Sequence, residues 1–443
     1  MIIRALKPHG SAVSKLVVEE YEHISHMFDV DSSAEPLGGM DWEPEPIRKD
    51  ADYITFSAFI DGVQRTTQIY WVRLEELGVQ IPIHVGHICV GIVRRDSQGK
   101  LHIDQNMIVD RLLLCMPLAG MKEYGFEFEE RINELIDLGI IIEDIAITKN
   151  PFDAFCINDR YGKVILCDTT FTGIEEDDRK KQWENYQKGD KVKGLLVQKE
   201  LYNASRIRSR AYGRVNTLRQ ILEMVMLVKF KQMIMESEDI NDIYILVDGP
   251  LIFVSKWFRK SLKLGHLSDT EKERVILKNA VGIVKTLRAR PKNIEDLKKI
   301  LNLKEGERTR LFKIKDVVDV AGEEGRIMSF IEPHVATFLR LRIPYEGLIL
   351  PSPIGLIRVD LHISTLGFDT LDDLESCQRM EMEELNRKLN PIINGIIREK
   401  WPLVIDKGRK FSEVYPIKET ENVLKARLYS TKELGYISTL IRG

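Results

Sequence analysis

Residues 58–66, AFIDGVQRT, and residues 244–251, YILVDGPL, decide how this chain folds. In each, a run of apolar and β-branched residues leads into an acid followed by glycine, Asp61-Gly62 and Asp248-Gly249. Such runs read as strands, the second apolar enough to be buried on both faces. The pattern predicts that each Asp-Gly stands at the end of its strand. Asp-Gly is also a common turn signal, and either site taken alone reads first as a turn. As neighbours in one sheet, however, the two strands would set two carboxylates side by side. Like charges at short range are unstable unless a cation holds them, and a hard divalent metal is the natural partner.

The sequence around these strands places them in a mixed α/β fold. YITFSAFIDG, TTQIYWV, IPIHVGHICVGIVRR and LHID follow one another between residues 53 and 104, with the turn DSQGK before the last. Their β-branched and aromatic content predicts an antiparallel meander, with Gly99 supplying the positive φ of the hairpin. Residues 200–236 predict a long helix, Asp269–Lys278 another, and AVGIVKTL (280–287) a second buried strand. FLRLRIP and IGLIRVDLHI predict further strands before helices at the C-terminus. A meander followed by alternating helices and buried strands implies a sheet with helices on both faces, of which the ribonuclease-H-like arrangement is one solution. Residues 1–50 read as an N-terminal extension: a helical pattern over Ser14–Phe28, then SSAEPLGGMDWEPEP as a connector. Residues 51–443 read as the main domain. Within it, approximately 107–200 reads as an insertion, with FEFEERINELIDLGIIIEDI helical and KVILCDTTF a strand.

Composition excludes several classes. The chain has 443 residues, 44% of them hydrophobic and 30% charged, which is globular rather than disordered. Lys plus Arg number 65 against 68 Asp plus Glu, so a wholly basic nucleic-acid coat is ruled out while a local basic groove is not. Five scattered cysteines fit neither a disulfide framework nor a CxxC zinc site. No stretch is apolar enough to span a membrane, and the first residues, MIIRALKPHG, lack the pattern of a signal peptide, which points to the cytoplasm. GxxxxGK[ST], GxSxG and GxGxxG are missing from any useful strand-to-helix junction, so NTPase, α/β-hydrolase and dinucleotide readings lack their motifs.

Three further features bear on chemistry. In SRIRSRAYGRVNTLRQILEMVML, Arg206, Arg210 and Arg214 share a helical face, and Arg208 and Arg219 add charge. Taken alone they read first as a solvated helix face, and beside a metal site as a phosphate-binding strip. Glu223 is the sole acid between Arg206 and Glu236 and lies on the helix that enters the Asp248 strand, which makes it a third candidate ligand. Lys285, at the end of the AVGIVKTL strand, could bind a scissile phosphate or stabilise a leaving group, or could snorkel from the sheet edge. The HxxH pair His84 and His87 lies in a strand, where that spacing means opposite faces, and His23 with His26 reads as surface rather than metal site.

The order of these motifs resembles the NurA family of DNA-end-processing nucleases, whose core is ribonuclease-H-like and similar to the PIWI domain. FIDGVQRT, LRQILEMV, ILVDGPLI and VGIVKT occur in the family's order. FLRLRIPYEGLILPSPIGLIRVDLHI resembles its penultimate strand pair, and VYPIKETENVLKARLYS, opened by Tyr415 and Pro416, its final helix. The resemblance implies a nuclease in which Asp61, Glu223 and Asp248 hold one or two Mn²⁺ or Mg²⁺ ions, Lys285 steadies the phosphate and Arg206, Arg210 and Arg214 guide DNA. It further implies a homodimer docked on a HerA-type hexameric ATPase, acting in DNA repair or antiphage defence. The family pattern also places an Ala-His late in the final helix. This chain has no histidine after His362; either Glu421 substitutes as an oxygen ligand or the site binds its second metal more weakly. That departure keeps open a catalytically inactive, PIWI-like nucleic-acid-binding module and a subunit that seats a motor ATPase.

Overall fold

The computed structural model describes residues 31–47, 52–122, 124, 141–143, 164–170, 201–235, 243–251, 268–285, 289–318, 334–343, 353–401 and 409–434. The helix expected over Ser14–Phe28, and His23 with His26, lie outside them. The architecture is α/β.

Its centre is five strands. β3 (Phe56–Leu74), β4 (Val79–Arg95) and β5 (Leu101–Met116) form the expected antiparallel meander, closed by a turn in which Gly99 has φ +81°. β8 (Tyr244–Asp248) pairs parallel to β3 on its other edge, and β9 (Ala280–Val284) pairs parallel to β8. A meander extended by two parallel strands on its first member is the mixed sheet that the ribonuclease-H-like expectation requires. One predicted break is absent. The strands expected as YITFSAFIDG and TTQIYWV are one continuous β3, bent by an irregularity between Gln68 and Tyr70, so Asp61-Gly62 stands inside a strand rather than at its end. The β-branched run on both sides of Gly62, paired throughout to β4, carries the ladder past the turn signal.

The sheet also takes in segments expected to lie outside it. β5 continues to Met116, so residues 107–116 belong to the core meander and not to an insertion. Past it, β7 (Val164–Asp168) pairs parallel to β5, and β6 (Ile141–Glu143), expected as helix, pairs parallel to β7. On the opposite side, β14 (Leu356–His362) pairs antiparallel to β9 and β13 (His334–Arg340) to β14; both stretches were expected as strands, and β13 starts four residues before FLRLRIP. Beyond them come β12 (Phe312–Val318), β1 (Asp31–Pro36) and β10 (Ala289–Arg290). The stretch read as a connector thus supplies β1, whose Ala34 and neighbouring Leu37 are buried. Short β2 (Pro44–Pro46) pairs with β11 (Glu307–Thr309) off the main path.

Helices cover both faces. After a short α1 (Leu118–Lys122), the long α2 (Ala204–Met235) packs Val215, Leu218, Leu222 and Val225 against Ala58, Ile60, Ile88 and Val90. α3 (Asp269–Leu277), opened by a Ser268–Glu271 capping box, links β8 to β9, and α4 (Ile294–Leu301) follows β10. α5 (Leu371–Met380), α6 (Met382–Arg398) and α7 (Tyr415–Lys425) lie on the other face, where Leu385, Ile392 and Ile417 join Phe59, Leu246 and Ile283 in a second core. Alternation along β3 therefore assigns its residues: Ala58, Ile60 and Gly62 face α2, whereas Phe59, Asp61 and Val63 face the α5–α7 layer. Val63 packs with Leu424 and Leu428, which fixes that assignment at the site. No described helix is long and apolar enough to cross a membrane.

Candidate active site

The parallel register decides what meets. Ile60 pairs with Val247, so the next residues along the two strands, Asp61 and Asp248, stand side by side on the face that α7 covers. Asp248 is in turn opposite Ile283 on β9, which carries Lys285 two residues further on the same face. The predicted juxtaposition of the two aspartates and the lysine is thus built by strand register alone.

Lys285 is the hinge of the cluster. Its Nζ donates to Asp248 Oδ2 at 3.0 Å and to Glu413 Oε2 at 2.9 Å, and its side chain is 4% exposed. Burial would pull its pKa down, but the carboxylates of Asp248, Glu413 and Asp61 outweigh that and hold it above the ordinary lysine value. It is a fixed cation and does not snorkel. Glu413, buried just before α7, is the functional residue that sequence reasoning missed. A single acid two residues ahead of the Tyr-Pro step carries no periodic or spacing signal.

Asp61 is buried, and only one of its oxygens is satisfied. Oδ1 accepts from the Gly62 N–H at 2.7 Å, whereas Oδ2 has no partner. Burial first, then the neighbouring Asp248 charge, raises its pKa well above the usual carboxylate range, with Lys285 pulling the other way. A hard oxygen without a donor, beside a second carboxylate, suits a divalent cation in chemistry and charge.

Glu223 reaches the cluster from the other side of the sheet. It lies on α2 over Gly62, where its Oε1 occupies the space a Cβ there would need, and its Oε2 lies 3.9 Å from a Cβ built on Gly249. Gly249 has φ +136°, a conformation side chains rarely adopt. Both Asp-Gly steps therefore have their glycine beneath one glutamate. Arg219, one turn earlier on α2, forms an ion pair with Glu223 and donates to the Gly62 carbonyl at 3.1 Å. Burial raises the Glu223 pKa to about 8, with Asp248 adding to the rise and Arg219 opposing it. The i, i+4 spacing of Arg219 and Glu223 was readable from the sequence.

This arrangement separates the expected ligand set. Asp61 and Asp248 suit a shared cation, while Glu223 is within electrostatic reach of them but behind β3. Among the described residues no three His, Cys, Asp or Glu side chains converge as a metal-holding group. Glu421 contributes weakly to the Asp61 field and is engaged by Lys418 and Lys425, each at 2.7 Å; these hydrogen bonds outweigh its burial and lower its pKa to about 2. Tyr415 is 40% exposed at the start of α7, with its ring against Trp401, and stands outside the cluster.

The arginine strip runs from solvent into the interior. Arg206 is exposed, Arg210 is half-buried and donates to the Thr170 carbonyl, and Arg214 is only 5% exposed. Regular helical spacing brings Arg214 under the sheet, so it is not part of a surface strip. His84 and His87 point to opposite faces as expected, His84 toward Tyr212 of α2 and His87 toward Tyr429.

No family model matches the chain, and no curated protein is significantly similar to it.

Proposed function

We propose that this chain is a metal-dependent deoxyribonuclease that cuts without regard to sequence. The observation that carries this reading is the pairing of Asp61 and Asp248 by strand register, with Asp61 Oδ2 buried and undonated and the Lys285 ammonium fixed beside them. Asp61 and Asp248 would hold Mn²⁺ or Mg²⁺, which when bound supplies Lewis acidity toward the phosphate and an acidified water. Lys285 places a permanent positive charge where a phosphate would otherwise meet only carboxylates. Glu223 acts on the pair by holding Arg219 over Gly62. Arg206 and Arg210 would steer the DNA backbone, and phosphate contacts of that kind carry no base information. The motif order supports the rest of the reading: a cytoplasmic homodimer fed by a HerA-type hexameric ATPase, resecting ends in DNA repair or degrading phage DNA.

Linear DNA incubated with Mn²⁺ and either wild type, Asp61→Asn or Asp248→Asn tests it. Loss of cutting in both variants, with unchanged folding, is expected; equal cutting by all three sinks the proposal.

One observation favours a second reading. Asp248 and Glu223 each already have a basic partner, Lys285 and Arg219, so much of the cluster is neutralised within the chain. A nucleic-acid-binding or motor-seating subunit without cleavage would have that property. DNA binding by a wild type that cuts nothing, alone or with its motor, is the outcome that selects it.

A further inference from the structure

Glu413 joins the carboxylate cluster from outside the sheet. Asp61, Asp248 and Lys285 stand on or just past neighbouring strands, whereas Glu413 comes from the chain between α6 and α7. The backbone around it is pinned at several points. The Glu413 carbonyl accepts from the Trp401 N–H at 3.1 Å, the Tyr415 N–H donates to the Glu399 carbonyl at 2.7 Å, and the Ser412 hydroxyl accepts from the Gly355 N–H at 3.1 Å. Lys400 and Val414 form an antiparallel bridge, and the Val414 side chain is fully buried in the second core. The Glu413 side chain is itself 5% exposed and meets Lys285 Nζ at 2.9 Å. A carboxylate anchored in this way sets where the ammonium lies rather than following it.

The place of that ammonium matters to any cation at the aspartates. An ammonium has three N–H donors and no acceptor, and here one goes to Asp248 at 3.0 Å and another to Glu413 at 2.9 Å. Opposite charges attract strongly where little solvent screens them, and the lysine side chain is only 4% exposed. With a neutral side chain in place of Glu413, that attraction draws the ammonium onto Asp248 and toward Asp61, whose Oδ2 accepts no hydrogen bond. The lysine then supplies, from within the chain, the positive charge that a divalent cation would bring. With Glu413 present the ammonium is shared, and the aspartates keep oxygens for a metal. We infer that Glu413 is a positioning residue that acts through Lys285: it draws the ammonium toward α7 and so sets the affinity of Asp61 and Asp248 for a divalent cation. The inference rests on the metal reading of the two aspartates and adds to it a residue that neither motif order nor strand register picks out.

The test measures Mn²⁺ binding by the full chain without DNA, from the electron paramagnetic resonance signal of the free ion, so cutting is not the readout. Wild type, Glu413→Gln, Lys285→Met and the double variant are compared, with Lys285→Gln replacing Lys285→Met if circular dichroism shows that the latter does not fold. Groups that hold metal ligands in place are worth about 10–100-fold in affinity, and Glu413→Gln should weaken Mn²⁺ binding about ten-fold. In the background without Lys285 the same substitution should change affinity less than about two-fold, because the group it acts through is gone. An equal loss in both backgrounds would mean that Glu413 acts on the ion directly or through the fold. No loss in either would mean that Lys285 needs no positioning. Each of these overturns the inference and leaves the metal reading standing. Asp61→Asn is the control for that reading and should abolish binding. If Mn²⁺ binds equally well to Asp61→Asn, or does not bind wild type, the metal reading falls and the inference with it.

Discussion

Glu223 fills the space that a side chain on Gly62 would need. A Cβ built there would be closer to Glu223 Oε1 than real Cβ contacts come, and would also meet Val90 Cγ2 at 2.9 Å and Arg219 Cγ at 3.0 Å. The glycine after Asp61 is thus a steric requirement of the glutamate on α2, not the mark of a turn. Gly62→Ala should destabilise the fold by about 1–3 kcal/mol through overpacking. The cost should shrink in a Glu223→Ala background, because the tightest of the three contacts is gone. Urea denaturation of the two single variants and the double variant measures the coupling. Strict additivity would mean that Glu223 does not lie over Gly62.

Lys285 holds the buried Glu413 and the half-buried Asp248 carboxylates, and its removal leaves both without their cation. Lys285→Met should therefore cost about 3–5 kcal/mol, the range for breaking one side of a buried ion pair. Replacing the acids as well, in Lys285→Met with Asp248→Asn and Glu413→Gln, should recover most of that loss because no uncompensated charge remains. Denaturation midpoints of the single and triple variants decide the matter. An equal loss in both would show that the lysine acts by packing rather than charge.

How much of this was legible follows from which contacts are local. Asp61, Asp248 and Lys285 each end or interrupt an apolar run, so one-dimensional pattern picks them out, and parallel pairing then brings them together. Glu413 belongs to the same cluster but is placed there by the path from α6 into α7, which no periodicity encodes. What the pattern does not encode is the side from which Glu223 approaches: Asp61 and Gly62 are adjacent in sequence but face opposite layers, and α2 covers the face of the glycine. The assignment of Asp31–Pro36 to a connector failed for a related reason. Its polar composition suits an outlying strand of a wide sheet, and its partner, Phe312–Val318, is far away in sequence.

Buried Glu223 gives stability a pH dependence of known sign. Its pKa is raised to about 8 in the fold, chiefly by burial, against an ordinary value of 4.5. Between those values the unfolded chain has lost the proton and the folded chain keeps it, so stability is greatest below pH 4.5 as far as this group is concerned. It falls as pH rises toward 8, by up to about 1.4 kcal/mol per pH unit. Glu223→Gln carries no such proton. Unfolding free energies measured in EDTA at pH 5, 6.5 and 8 should converge at the low end and favour the variant increasingly at the high end. Parallel curves for the two proteins would show that Glu223 is already ionised in the fold.

The buried histidines set the opposite limb. His84 is fully buried, and neither ring nitrogen has a hydrogen-bond partner. Burial, with the Arg208 charge adding to it, lowers its pKa to about 3; His362 is likewise lowered to about 3 by burial, with His334 and Arg274 contributing. Both rings are neutral in the fold and take up a proton on unfolding below pH 6.5. The stability they allow is present above 6.5 and is lost as pH falls toward 3, at up to about 1.4 kcal/mol per pH unit for each ring. His84→Leu removes one of these protons and breaks no hydrogen bond of the ring, whereas His362 caps the Ser364 N–H at 3.2 Å and is not a clean probe. Acid titration followed by circular dichroism should give His84→Leu a lower acid midpoint and a shallower loss of stability between pH 6 and 4. An unshifted midpoint would place the acid sensitivity elsewhere and show that the His84 ring is protonated within the fold.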